Sequence, residues 1–244
     1  RYRQTRAEYE FTTTNKSQHK LWLVNDENDI KLIERSFCEI ENLYIADGHH
    51  RFASSSLLAK ESNNSNTQYC MSYLISEDQL KIISFNRLLK NLNGLSDEDF
   101  LTQIRQKYEI KKVQKALVPT HKDEITLYIS KKWYSLIAKE EYVNRTHCVE
   151  KLDPAILSNN ILAPILGITD PRNDKRLAFI DGTHSLEEIK HRVDSEEFKA
   201  AFVLKPISVN QIKEVADQGQ SMPPKSTYIQ PKLRSGMLIY DFED

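Results

Sequence analysis

The residues best suited to chemistry form a run of five: Asp47, Gly48, His49, His50 and Arg51. Asp-Gly is a turn dipeptide, and the apolar-periodic segment after it, from His49 to about Lys60, predicts a helix. A first helical turn presents unsatisfied backbone N–H groups and the positive end of the helix dipole, which together attract an anion. Three potential cations in that turn oppose the dipole unless something negative faces them. A phosphate is the simplest such group. Arg51 can fork onto it bidentately, one histidine can donate to a phosphoryl oxygen while the other turns to the sheet, and Gly48 lets the backbone approach closely. Asp47 is placed to hold a metal ion, act as a base or cap the helix, so the acid–base candidates are Asp47, His49 and His50. The bland alternative is a capped helix with solvated histidines. Zinc fits poorly, because adjacent residues face different directions on a helix.

A second polar cluster lies between Met222 and Gly236. Pro223, Pro224 and Pro231 stiffen it, which would hold Lys225, Ser226, Thr227 and Lys232 in place as phosphate ligands, with Arg234 a weaker candidate. Its bland reading is a rigid edge segment with solvated lysines. Asp181-Gly182-Thr183-His184 echoes the first run, but Asp-Gly is common enough in turns for coincidence to suffice.

The elements that must position these residues alternate in type. Strands are predicted at 20–25, 43–46, 69–75, 80–85, near Ile110, at 176–180, 200–204 and 237–240, with a hairpin over 124–130 and 133–139. Helices are predicted over 30–40, from Asp97 to about Lys107, from Asp153-Pro154 to Gly167, over 185–193 and from Ser208 to Gln218. Trp22, Tyr44, Phe52 and Phe85 are expected in the core. The alternation argues for an α/β or mixed α+β fold. Three parts are expected: a core over 1–92 carrying the Asp-Gly-His-His-Arg run, a small α+β insertion over 93–150, and a C-terminal α/β part over 151–244 that returns to the core.

Bulk numbers narrow the function. The 244 residues carry 34 Lys and Arg against 35 Asp and Glu, a net charge of −1, which argues against generic binding to nucleic acid. ParB-like DNA binding is disfavoured on the same ground. Three widely spaced cysteines, Cys38, Cys70 and Cys148, form no disulfide framework or zinc pattern and fit a reducing cytoplasm. No apolar run approaches the ~18 residues of a membrane span. The chain begins Arg1-Tyr2-Arg3 without methionine and reads as a piece of a longer protein, so part of a site is expected to lie elsewhere.

Tyr44-Ile-Ala-Asp-Gly-His-His-Arg-Phe52 and the Met222 to Gly236 segment, together with 20–26, Asn86-Arg87-Leu88-Leu89 and Leu152-Asp153-Pro154, resemble the family called domain of unknown function 1015. Its members are usually longer, which implies that this chain is a C-terminal portion. The Asp-Gly-His-His-Arg run is also similar to that of the ParB/sulfiredoxin-like superfamily, which includes free-serine kinases using ADP or ATP. That resemblance implies a ParB/sulfiredoxin-like phosphate-binding core in which Gly48, His49, His50 and Arg51 bind nucleotide phosphates and Asp47 assists a metal ion such as Mg2+. It implies a phosphotransferase with a small-molecule acceptor such as serine. The acidic base of those kinases lies upstream of the run and has no matched residue here. The alternative is a non-catalytic module that senses a nucleotide or phosphorylated metabolite with the same residues.

Overall fold

The protein is seen in a computed structural model that describes residues 1–14, 16–231 and 236–242. It divides into two compact units, residues 1–45 and 46–244.

The first unit holds a two-stranded antiparallel ribbon, β1 (Tyr9–Thr12) and β2 (Gln18–Leu21), and the helix α1 (Glu27–Cys38). Asp26 caps α1 by accepting from the N–H groups of Asn28 and Asp29, the arrangement that satisfies a free helical first turn. Ile30, Ile33 and Phe37 recur at helical spacing, yet all three stay exposed.

The second unit is built on a six-stranded antiparallel sheet in the order β5-β7-β6-β9-β4-β8. Its strands are β4 (Phe85–Leu89), β5 (Tyr108–Val113), β6 (Glu124–Ile129), β7 (Lys132–Ala138), β8 (Leu177–Asp181) and β9 (Ala200–Leu204). The short strand β3 (Lys81–Ile83) pairs instead with β10 (Tyr228–Gln230). The helices are α2 (His49–Glu61), α3 (Asp97–Lys107), α4 (Asp153–Leu157), α5 (Leu186–Asp194) and α6 (Val209–Asp217). The fold is mixed α+β. Among the described residues no helix is long and apolar enough to cross a membrane.

Strand alternation sorts the core into two layers. On one face Leu89, Ile125, Leu127, Leu136, Phe202 and Leu204 pack with Phe100 and Ile104 of α3 and with Ile156, Ile161 and Leu162. On the other, Leu88, Tyr128, Ala201 and Val203 pack with Ile189 and Val193 of α5. β9 is buried on both faces, which is why it reads as an unbroken apolar run. A π-turn over Ser158–Leu162 directly follows α4, and the predicted stripe of 156, 157, 161, 162, 165 and 166 is buried throughout. Ser96, Ser185 and Ser208 cap α3, α5 and α6, the last in a reciprocal capping box with Gln211.

Several expectations need correction. Residues 43–46, 69–75 and 237–240 form no strand. Their side chains Leu43, Tyr69, Met71, Tyr73 and Ile239 are exposed, so the apolar pattern has no neighbouring strand to pair with. Tyr44 and Phe52 are exposed rather than in the core, and Phe85 is half-buried. The N-cap of α4 is Leu152, with Asp153 as its first helical residue. Residues 93–150, read above as an insertion, supply β5, β6 and β7 to the same sheet as β4, β8 and β9.

Candidate functional site

The Asp-Gly-His-His-Arg run opens α2 at His49, as its spacing predicts. Gly48 is the N-cap, with φ at +86°, a left-handed backbone that glycine adopts without a Cβ clash. It brings no side-chain acceptor of its own to the first turn, while the N–H of Phe52 returns to the Gly48 carbonyl at 2.9 Å. Arg51 folds back over this turn. A Cβ on Gly48 would lie 2.8 Å from its Nη2.

Asp47 does not end a strand, because none forms there, and it lies one residue before the N-cap Gly48. Its carboxylate meets the Arg51 guanidinium at 3.3 Å, one helical turn away. Both are open to water, with side-chain exposures of 77% for Arg51 and 55% for Asp47, so the pair is worth well under ~1 kcal/mol. Neither histidine turns into a sheet; both are exposed, and every residue of α2 is exposed or half-buried. The helix therefore displays its N-terminus and three basic side chains together.

The second cluster is positioned by the β10–β3 pair. Lys225 sits in a turn with φ at +51°, its ammonium 5.4 Å from the centroid of the Phe85 ring on β4. Ser226 is buried, and its hydroxyl donates to the Pro223 carbonyl at 2.6 Å, which withdraws that proton from any phosphate. Thr227 is half-buried beside it. Lys232 and Arg234 lie outside the described residues. The contacts of the two clusters run to different elements: α2 to the turn at 65–68, where Gln68 donates to the Ala59 carbonyl at 2.8 Å, and Lys225 to β4. The Asp181-Gly182 echo is a structural turn, in which Asp181 accepts from the Thr183 N–H at 3.0 Å and Gly182 packs on Ile83 and Ser84.

Sequence reasoning missed two groups of buried charge. Arg145 binds Asp123 with two hydrogen bonds of 2.8 and 2.7 Å and also reaches Glu140. Beside them burial pushes the Asp153 carboxyl up to about 7, with the neighbouring Asp123 charge adding to the shift. The other is Arg87, in the middle of β4. Its one legible signal was a charge inside an otherwise uncharged strand.

None of the curated proteins compared with the chain matches it. Loose overlaps exist among solved structures. A free serine kinase in complex with AMP is 15% identical, over 85% of this chain and 80% of that one, at a TM-score of 0.44. A conserved hypothetical protein from Pyrococcus furiosus is 16% identical, over 83% and 81%, at 0.44. SbnI from Staphylococcus aureus, truncated at its C-terminus, is 15% identical, over 80% and 65%, at 0.43. Such overlaps are too loose to carry an assignment. The family model described as protein of unknown function (DUF1015) matches residues 1–155, which takes in the His-His-Arg turn, β4 and Asp153 but stops short of the Lys225 cluster. With more than half of its length matched by that one model, the chain belongs to the DUF1015 family.

Proposed function

We propose that the His-His-Arg turn binds the phosphates of a nucleotide, ADP or ATP, and that the intact protein is a phosphotransferase acting on a small molecule such as serine. The observation that carries this reading is the exposed, glycine-started N-terminus of α2 with Arg51 folded over it. Backbone N–H groups and a guanidinium converge there, which suits an oxyanion. The weak surface contact between Asp47 and Arg51 is the kind a phosphate displaces, since the incoming anion takes the carboxylate's place on the guanidinium.

In-line phosphoryl transfer requires mainly positioning and neutralisation of charge. On this reading Gly48, His49, His50 and Arg51 hold the phosphates, and Asp47 assists a magnesium ion. Among the described residues no three His, Cys, Asp or Glu side chains gather as metal ligands, so such an ion would complete its shell with phosphate oxygens and water. Lys225, Thr227 and Lys232 are the further phosphate contacts of the proposal, with Ser226 serving to shape their turn. The small-molecule acceptor rests on the likeness of the run to that of free-serine kinases.

The test is isothermal titration of ADP and ATP, with magnesium, against the protein and its Arg51→Ala variant. Loss of a charge-assisted hydrogen bond should weaken binding by about 1.5–3 kcal/mol. Equal affinity in both proteins, or no binding to either, refutes the assignment. Binding with no kinase or nucleotide-hydrolysing turnover by the intact protein would favour a sensing module over an enzyme.

A further inference from the structure

Strand β4 reads Phe85-Asn86-Arg87-Leu88-Leu89 and lies between β8 and β9. Side chains two apart share a face, so Arg87 points to the same side as Leu89 and Phe85, opposite Phe179 on one neighbour and Phe202 on the other. It is only 3% exposed. Its neighbour Asn86, equally buried, is satisfied by accepting the Leu204 N–H at 3.1 Å.

Arg87 is held differently. One N–H donates to the Phe85 carbonyl, and the guanidinium lies 5.3 Å from the centroid of the Phe179 ring. None of its fully buried nitrogens lacks a hydrogen bond; what it lacks is a counter-charge. Among the described residues no carboxylate forms an ion pair with it, whereas the partly buried Arg145 and Arg176 both have one. Burial alone lowers its pKa, to about 9, so the side chain is still a cation at neutral pH. A buried cation without a counter-ion weakens a fold, and an apolar residue of similar volume would serve stability better. Packing therefore does not explain its presence.

A second cation shares Phe85 with it. Lys225 is exposed, and its ammonium rests over the ring of Phe85, the residue whose carbonyl binds Arg87. Among the described residues it too forms no ion pair with a carboxylate. Its backbone is left-handed, with φ at +51°. Around the two cations the rings of Phe85, Phe179 and Tyr228 are half-buried, with Tyr228 edge-on to Phe85 at 5.9 Å.

We propose that Arg87 and Lys225 form an anion-binding site at the Phe85 end of β4, which takes a phosphate- or carboxylate-bearing small molecule. Lys225 meets the anion at the surface, and Arg87 supplies the counter-charge from behind the aromatic rings. The proposal shares Lys225 with the reading above and stands without the His-His-Arg turn.

The test uses Arg51→Ala as the background, which weakens the turn as an anion site, and titrates inorganic pyrophosphate and citrate by calorimetry and thermal unfolding. The expected result is that at least one probe binds Arg51→Ala and raises its unfolding temperature. Which probe does so separates a phosphate from a carboxylate ligand. Adding Lys225→Met or Arg87→Met should weaken that binding at least about tenfold. Arg87→Met without an anion should unfold at the same temperature as its parent or higher. Should Arg87→Met fail to fold, the exposed Lys225→Met decides. Absence of binding by Arg51→Ala, or binding that Lys225→Met leaves unchanged, overturns the site, whereas nucleotide binding at the turn is read separately, from the unaltered protein against Arg51→Ala.

Discussion

Replacing Asp153 by asparagine should stabilise this protein at neutral pH and leave it unchanged in acid. Asp153 is the first residue of α4, where the helix dipole favours a negative charge, yet burial outweighs that and lifts its carboxyl from 3.8 to about 7. The Asp123 charge adds to the shift, and Lys205 and Arg145 oppose it. Between about pH 4 and 7 the native state holds a proton that the unfolded chain has already released. Stability contributed by this group therefore falls as pH rises through that window, and the whole penalty is present above about 7. The span from 3.8 to about 7 is roughly three units, at 1.36 kcal/mol each, so the penalty is at most about 4 kcal/mol. Asparagine keeps the volume and an oxygen for the Asp123 N–H while removing the charge. Urea unfolding of both proteins should show near-equal stability at pH 4 and a gap of about 2–4 kcal/mol in favour of Asp153→Asn at pH 8. A gap independent of pH, or a variant weaker at pH 8, would refute this reasoning.

Gly48→Ala forces a side chain into the left-handed region, at about 1–2 kcal/mol, and drives its Cβ against Arg51. It should weaken ADP binding by calorimetry while circular dichroism shows the rest of the fold intact. Arg145→Ala strands the buried Asp123 carboxylate, and chemical denaturation should report a loss of about 3 kcal/mol at neutral pH. Phe202→Ala empties the centre of the larger core layer and should cost about 3–5 kcal/mol in the same assay; a loss below 1 kcal/mol would show that the layer collapses around the cavity.

Local signals were legible because they act within one or two turns of chain. The acidic run Asp97-Glu98-Asp99 located the start of α3 to within a residue of its Ser96 cap, Ser185 and Ser208 located the starts of α5 and α6, and the Asp-Gly turn located the start of α2. The basic residues of the His-His-Arg turn could be picked out in the same way, since a helix N-terminus and its first side chains are neighbours in sequence. Strands are different. The apolar stretches at 43–46 and 69–75 look as strand-like as β9, but only β9 has partners, and a strand exists through hydrogen bonds to another segment. The same limit hid the buried charges. Whether Arg87, Asp123 and Asp153 are solvated or enclosed depends on strands and helices that can lie more than a hundred residues away, so their burial is written in the packing and not in the neighbouring letters.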